Sequence, residues 1–121
     1  MADVASGDNN RLNYIIFKTY FIMSNFNEII SSDKPTLVDF FATWCGPCKA
    51  QAPILEEVKK LIGDKANVVK VDIDANREAA MAYRVQSVPT LIIFKNGEPV
   101  WRTVGVQTAA TLLDKLNEHA K

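Results

Sequence analysis

Cys45 and Cys48 are the whole thiol supply of this 121-residue chain, and they stand three apart as Cys-Gly-Pro-Cys. Thiolates are nucleophiles and metal ligands, so such a pair either cycles between dithiol and disulfide or forms half of a metal knuckle; inert core cysteines are the third reading. The one histidine, His119, lies in the last three residues, too few ligands in all for a four-coordinate Cys and His zinc site. A bridge between the two cysteines would close only a four-residue loop, worth about 2 kcal/mol on the chain-entropy model and less than a long-range staple gives. It is expected to form for chemistry.

The elements around the pair decide which sulfur reacts. Thr36 to Thr43 (TLVDFFAT) is a near-continuous apolar run, which predicts a strand covered on both faces in a largely parallel sheet. Gly46 to Ile62 predicts a helix, with Ile54, Leu55, Val58, Leu61 and Ile62 on one face and a kink at Pro53. Cys45 therefore stands where a buried strand gives way to a helix, facing unpaired N–H groups and the positive end of the helix dipole, which favour a thiolate. Pro47 suits the first turn, where its missing N–H had no partner, and Gly46 lets another chain approach closely. Cys48 lies over Cys45 on the same helical face and is expected to be shielded beneath it. The pair then reads as an exposed attacker, Cys45, and a sheltered resolver, Cys48, which would break the mixed disulfide formed with a target.

Hydrophobic residues make up 48% and charged ones 23% of the chain, which excludes a disordered or collagen-like polymer. Fourteen Lys and Arg balance fourteen Asp and Glu, leaving no net field to gather nucleic acid or an anionic membrane. Tyr14 to Met23 (YIIFKTYFIM) is interrupted by Lys18, follows a leader carrying Asp3 and Asp8 against Arg11, and is followed by no small-residue cleavage site; it is not expected to be a signal peptide. With no export signal expected and no disulfide framework, a cytoplasmic protein is the expectation, and a paired CxxC there is usually catalytic or metal-binding. Residues 1–13 are expected to be a disordered tail and residues 14–121 a single domain.

Alternating elements fill that domain. Tyr14 to Ile22 predicts a strand; Asn25 and Glu28 form a capping-box pattern ahead of a short stripe of Phe26, Ile29 and Ile30 that ends near Pro35. Asn67 to Asp72 predicts a second buried strand and Ala75 to Arg84 a helix. Thr90 to Phe94 and Val100 to Val104 flank Asn96-Gly97, the strongest short hairpin signal. A helix from Thr108 to about Ala120, led by Leu112, Leu113 and Leu116, closes the chain. The order predicts an α/β fold: a central mixed sheet, parallel strands first and an antiparallel hairpin last, with helices on both faces.

Val38 to Lys49 (VDFFATWCGPCK), Ser87 to Thr90 (SVPT) and Lys95 to Glu98 (KNGE) together resemble the thioredoxin family, and the resemblance covers nearly everything after about Tyr14. It implies a thioredoxin fold and a protein-disulfide reductase that carries electrons and maintains redox homeostasis, with Cys45 as nucleophile and Cys48 as resolving thiol. Asp39 matches the family's buried aspartate, which moves the proton of Cys48, and Lys70 matches the lysine that tunes it. From the residues alone, an acid inside TLVDFFAT is expected to be desolvated with its pKa raised. Pro89 matches the family's cis-proline, with Val88 before it pairing with the substrate chain, while Trp44 and Gly105 match groove residues. Phe41 departs from the family, many members having tryptophan there, and Trp101 stands where a smaller residue is expected.

No nucleotide fingerprint is present, so no cofactor of its own is expected. The resemblance implies that an NADPH-dependent flavoprotein thioredoxin reductase recharges the protein, which would act as a monomer on disulfide-bearing proteins. Two alternatives remain: an oxidase or isomerase, separated by redox poise, and a binding module that makes no use of its cysteines.

Overall fold

The computed structural model describes residues 25–121; the tail expected over residues 1–13 and the strand expected over Tyr14 to Ile22 lie outside them. Residues 25–30 form α1, which buries Phe26 and Ile30. Asn25 is itself helical, so it is not the cap that its spacing from Glu28 predicts. There follow β1 (Thr36–Phe41), α2 (Gly46–Ile62), β2 (Asn67–Asp72), α3 (Arg77–Ala82), β3 (Thr90–Lys95), β4 (Glu98–Val104) and α4 (Ala109–His119).

The strands form a mixed sheet in the order β2-β1-β3-β4. β1 runs parallel to β2 and antiparallel to β3, and β3 runs antiparallel to β4. The sheet is thus less parallel than the apolar run of β1 suggests. Six residues of α3 span about 9 Å, against about 20 Å for a six-residue strand, so the helix does not carry the chain back along the sheet. β3 then enters in the opposite sense.

Alternation along the strands sorts the core into two layers. Leu37, Leu91 and Ile93 pack with Leu55, Val58 and Ile62 of α2 and Leu112 and Leu116 of α4. Val38, Phe40, Ile92 and Phe94 face the other way, onto Phe26 and Ile30 of α1 and Ala79 of α3. Burial of each large side chain contributes about 1.5 to 3 kcal/mol. β1 needs apolar residues on both faces because it lies between two strands and between two helical layers. Trp101, unexpectedly large for its strand, packs half-buried against the α2 and α4 layer.

Local chemistry sets the ends of the helices. Thr108 caps α4 by accepting the Thr111 N–H at 3.2 Å, and Lys95 donates from Nζ to the carbonyls of His119 and Lys121 at its far end. Pro53 leaves the Lys49 carbonyl without an intrahelical donor, yet Gly46–Ile62 runs on as one helix. α3 is shorter than its sequence pattern predicts. It stops before Arg84, whose φ of 55° puts it in the left-handed region that ends helices.

The hairpin turn does two jobs. Asn96 and Gly97 both have positive φ, 54° and 83°, the type I′ geometry that matches the twist of β3 and β4. Their N–H groups donate to the carbonyls of Ser32 and Ile30 at 2.9 Å, tying the turn to the end of α1. A Cβ on Gly97 would meet nothing closer than Ser31 Oγ at 4.0 Å, so its cost is conformational. Gly97→Ala should lower stability by about 1 to 2 kcal/mol in urea unfolding while leaving disulfide reduction unchanged; an equally stable variant would mean that the turn has relaxed to another type.

Candidate active site

Cys45 follows β1 by four residues and is the N-cap of α2, with φ −93° and ψ 117°. Its Sγ accepts the Cys48 N–H at 3.1 Å, one of the orphan donors at the start of a helix. Gly46 and Pro47 occupy the first helical turn and bring Cys48 back over Cys45. The two sulfurs are joined as a disulfide, with Cα atoms 5.3 Å apart. No acidic side chain lies in the first turn of α2, so the N–H groups and helix dipole favour a thiolate at Cys45 without an opposing charge on that turn.

Exposure does not separate the two cysteines as the sequence suggests, since each is 4% exposed in the disulfide. What separates them is the cavity each one borders. Cys45 lines an open groove of about 420 Å³, between the Trp44–Pro47 turn, Ile73 and the Val85–Val88 loop. Cys48 borders a smaller recess of about 120 Å³ with Phe41, Lys49 and Lys70. Both sulfurs pack with Ala42, Phe41, Ile73 and Val88.

The far wall of the groove comes from the chain before β3. Val88–Pro89 is a cis peptide bond, and the Val88 carbonyl oxygen lies 3.6 Å from Cys45 Sγ. Thr90 Oγ1 donates to the Ser87 carbonyl at 2.6 Å, and Gly105 N–H donates to the Pro89 carbonyl at 2.9 Å. Gly105 has φ 92°, and a Cβ there would meet nothing within 4 Å; backbone geometry, not crowding, requires glycine. Arg102 on β4 donates to the carbonyls of Tyr83 and Arg84, steadying the chain where it enters the Val85–Val88 loop.

Asp39 lies in the middle of β1 and is fully buried. Strand alternation turns it toward the α2 and α4 layer with Leu37 and Phe41, and Phe41 packs against the cysteine pair. Neither carboxyl oxygen has a hydrogen-bond partner among the described residues. Burial pushes its pKa up from 3.8 to about 6, against the pull of the Lys70 ammonium. Asp39 and Lys70 are register partners on β1 and β2. Lys70 is exposed, and its Nζ sits 4.6 Å from the centre of the Phe41 ring, a cation–π contact that holds the charge over this end of the sheet.

The structure therefore brings Trp44, Cys45, Gly46, Pro47, Cys48, Lys70, Val88, Pro89 and Gly105 together at one end of the sheet, with Asp39 buried farther along β1 opposite Lys70. Other residues of the site have no signal in the sequence pattern. Trp44 is 68% exposed and is held by its Nε1–H, which donates to Asp74 Oδ2 at 2.9 Å; Asp74 reads in sequence as an ordinary acid after a strand. Ile73, Val85 and Gln86 line the groove but look like plain packing or loop residues. Among the described residues there is no cluster of three or more side chains able to hold a metal, and no helix is long and apolar enough to cross a membrane.

The chain is similar to known proteins over most of its length. The sequence profile of the family described as Thioredoxin matches residues 18–118. A thioredoxin of Mycobacterium tuberculosis is 50% identical over 91 residues, 75% of this chain and 78% of that protein. The bifunctional thioredoxin reductase/thioredoxin of Mycobacterium leprae is 48% identical over 95 residues, 78% of this chain and 21% of that longer protein. Among solved structures, the thioredoxin of Malassezia sympodialis superposes with a TM-score of 0.74 at 33% identity, covering 81% of this chain and 85% of that one.

Proposed function

This chain belongs to the thioredoxin family, and from that premise we propose how its residues divide the work of reducing protein disulfides. It is a thiol–disulfide oxidoreductase whose redox pair is Cys45 and Cys48. One observation carries the division of labour: the disulfide sits at the N-terminus of α2 with only its Cys45 side on the groove.

In the reduced protein the Cys45 thiolate attacks one sulfur of a target disulfide, forming a mixed disulfide and releasing the target's other sulfur as a thiolate. Asp39 takes the proton of Cys48 as Cys48 attacks Cys45 Sγ, which expels the second target thiol. Two electrons have then passed to the target, and the Cys45–Cys48 bridge remains. Lys70 holds the Asp39 pKa down against burial, keeping the carboxylate available near neutral pH. The extended target chain lies along Val88 in the groove, between Trp44 and the Pro89–Gly105 wall, where the exposed indole supplies a flat apolar surface.

A thioredoxin reductase returns the bridge to the dithiol, an assignment supported by the relative in which the two activities share one name. We assign that partner to the NADPH-dependent flavoproteins, place the cycle in the cytoplasm, and take the working unit as a monomer because one chain supplies every wall of the groove. The chain's own thiols do the chemistry with no cofactor.

Insulin reduction with dithiothreitol tests the activity, and NADPH consumption on adding a thioredoxin reductase tests the partner. Equilibration with a glutathione series separates a reductant from an oxidase or isomerase: a pair that stays oxidised at a cytosolic glutathione poise carries out reduction, and one that is reduced there carries out oxidation.

A further inference from the structure

Among the fully buried polar side chains of the described residues, Thr36, Gln51 and Thr90 are uncharged, and Gln51 is the one amide, with no part in the mechanism. Gln51 lies on α2, three residues after Cys48 and so on the same helical face, and it is fully buried. Its amide is satisfied twice by one residue 56 positions away: Nε2 donates to the Gln107 carbonyl at 3.1 Å, and Oε1 accepts the Gln107 N–H at 2.7 Å. This is the two-point pairing that one strand makes with another, made here by a side chain.

Gln107 passes the connection on. Its own Nε2 donates to Thr103 Oγ1 at 3.2 Å and to the Gly105 carbonyl at 3.4 Å. The Gly105 N–H in turn holds the Pro89 carbonyl at 2.9 Å, and the Val88 carbonyl beside it faces Cys45 Sγ. A continuous set of hydrogen bonds thus runs from the helix that carries the cysteines to the opposite wall of the groove. Leu or Met would fill the site without polar atoms to satisfy, so packing alone gives no reason for an amide here.

We infer that Gln51 is a positioning residue for the target chain: it fixes the Gly105–Gln107 segment, and through it Pro89 and Val88, at the distance from Cys45 that a bound polypeptide requires. This deepens the reading of the site as a protein-disulfide reductase and rests on it. Gln51 spends both ends of its amide on Gln107 rather than on either sulfur, so its removal should weaken docking and leave the thiol exchange itself intact.

The variant Gln51→Met keeps the volume and deletes both hydrogen bonds. Pre-reduced protein is mixed with increasing insulin, and oxidation is followed through tryptophan fluorescence to give a half-saturating insulin concentration and a limiting rate. The half-saturating concentration should rise about tenfold, the size of effect that a lost buried hydrogen bond carries, with the limiting rate within about twofold of wild type. The rate with 5,5′-dithiobis(2-nitrobenzoate), a small disulfide that needs little of the groove, should not change. A lower melting temperature together with an unchanged half-saturating concentration would overturn the inference and leave Gln51 a structural amide. If Gln51→Met does not fold, Gln107→Ala decides, since it deletes only the donors to Thr103 and Gly105: a twofold to fivefold rise supports the inference, and no rise overturns it. Wild-type protein inactive toward both insulin and the small disulfide would instead refute the underlying reductase reading.

Discussion

Cys48→Ser is expected to capture target proteins as stable mixed disulfides through Cys45, whereas Cys45→Ser captures few, and both variants reduce insulin no faster than dithiothreitol alone. The asymmetry follows from position, since the two cysteines are equally buried in the disulfide. Only Cys45 borders the groove; Cys48 borders a separate, smaller recess. Cys45 also receives the Cys48 N–H and the start of the α2 dipole, which favour its thiolate at neutral pH. Without Cys48 the mixed disulfide has no internal resolving thiol and persists. Both variants are incubated with oxidised insulin, quenched by alkylation and resolved without reductant. Equal trapping would remove the attacker and resolver assignment.

Asp39→Asn is expected to stabilise the protein at neutral pH and slow it as a reductase. The folded protein holds this carboxyl at a pKa of about 6, against 3.8 ordinarily, so between those values the folded state binds more protons than the unfolded state. Stability therefore declines as pH rises from about 3.8 to about 6 and stays lower above that, the reverse of a salt-bridged aspartate. The difference in pKa corresponds to about 3 kcal/mol. A neutral Asn, like the protonated acid, escapes that cost. The two proteins should be about equally stable near pH 3, diverge through the window, and differ by about 3 kcal/mol at pH 7 and above in urea unfolding of the oxidised form.

Activity moves the other way, because Asn cannot take the Cys48 proton. Insulin reduction at pH 7 should fall by about tenfold to a hundredfold, at or just below the low end of what a positioned base contributes. The wild-type rate should drop as pH falls through about 6, where Asp39 becomes protonated, and the variant should lack that inflection. An Asp39→Asn protein that is less stable at neutral pH and equally fast would make Asp39 a structural acid with no part in proton transfer.

Features encoded within a few residues are legible in the sequence itself. The bounds of α2 and β2 coincide with those read from the sequence, because apolar periodicity and a Pro in the first helical turn are local signals. The same holds for the Asn96-Gly97 turn, whose two positive φ values are what that residue pair permits. The position of Cys45 and Cys48 at a helix start, and the burial of an acid stranded in an apolar strand, were likewise legible from neighbours alone. Tertiary packing decided the rest. The antiparallel setting of β3 against β1 depends on where a short α3 releases the chain, and α3 itself ends early because Arg84 adopts a left-handed backbone while Arg102 of β4 holds the Tyr83 and Arg84 carbonyls just beyond it. Asp74 finds Trp44 across 30 positions, and Gln51 finds Gln107 across 56. Such polar pairs have no periodicity, since a hydrogen bond over that separation exists only after the layers have closed on the sheet and brought its two ends together; for the buried Gln51 the closure also excludes the water that would otherwise satisfy its amide.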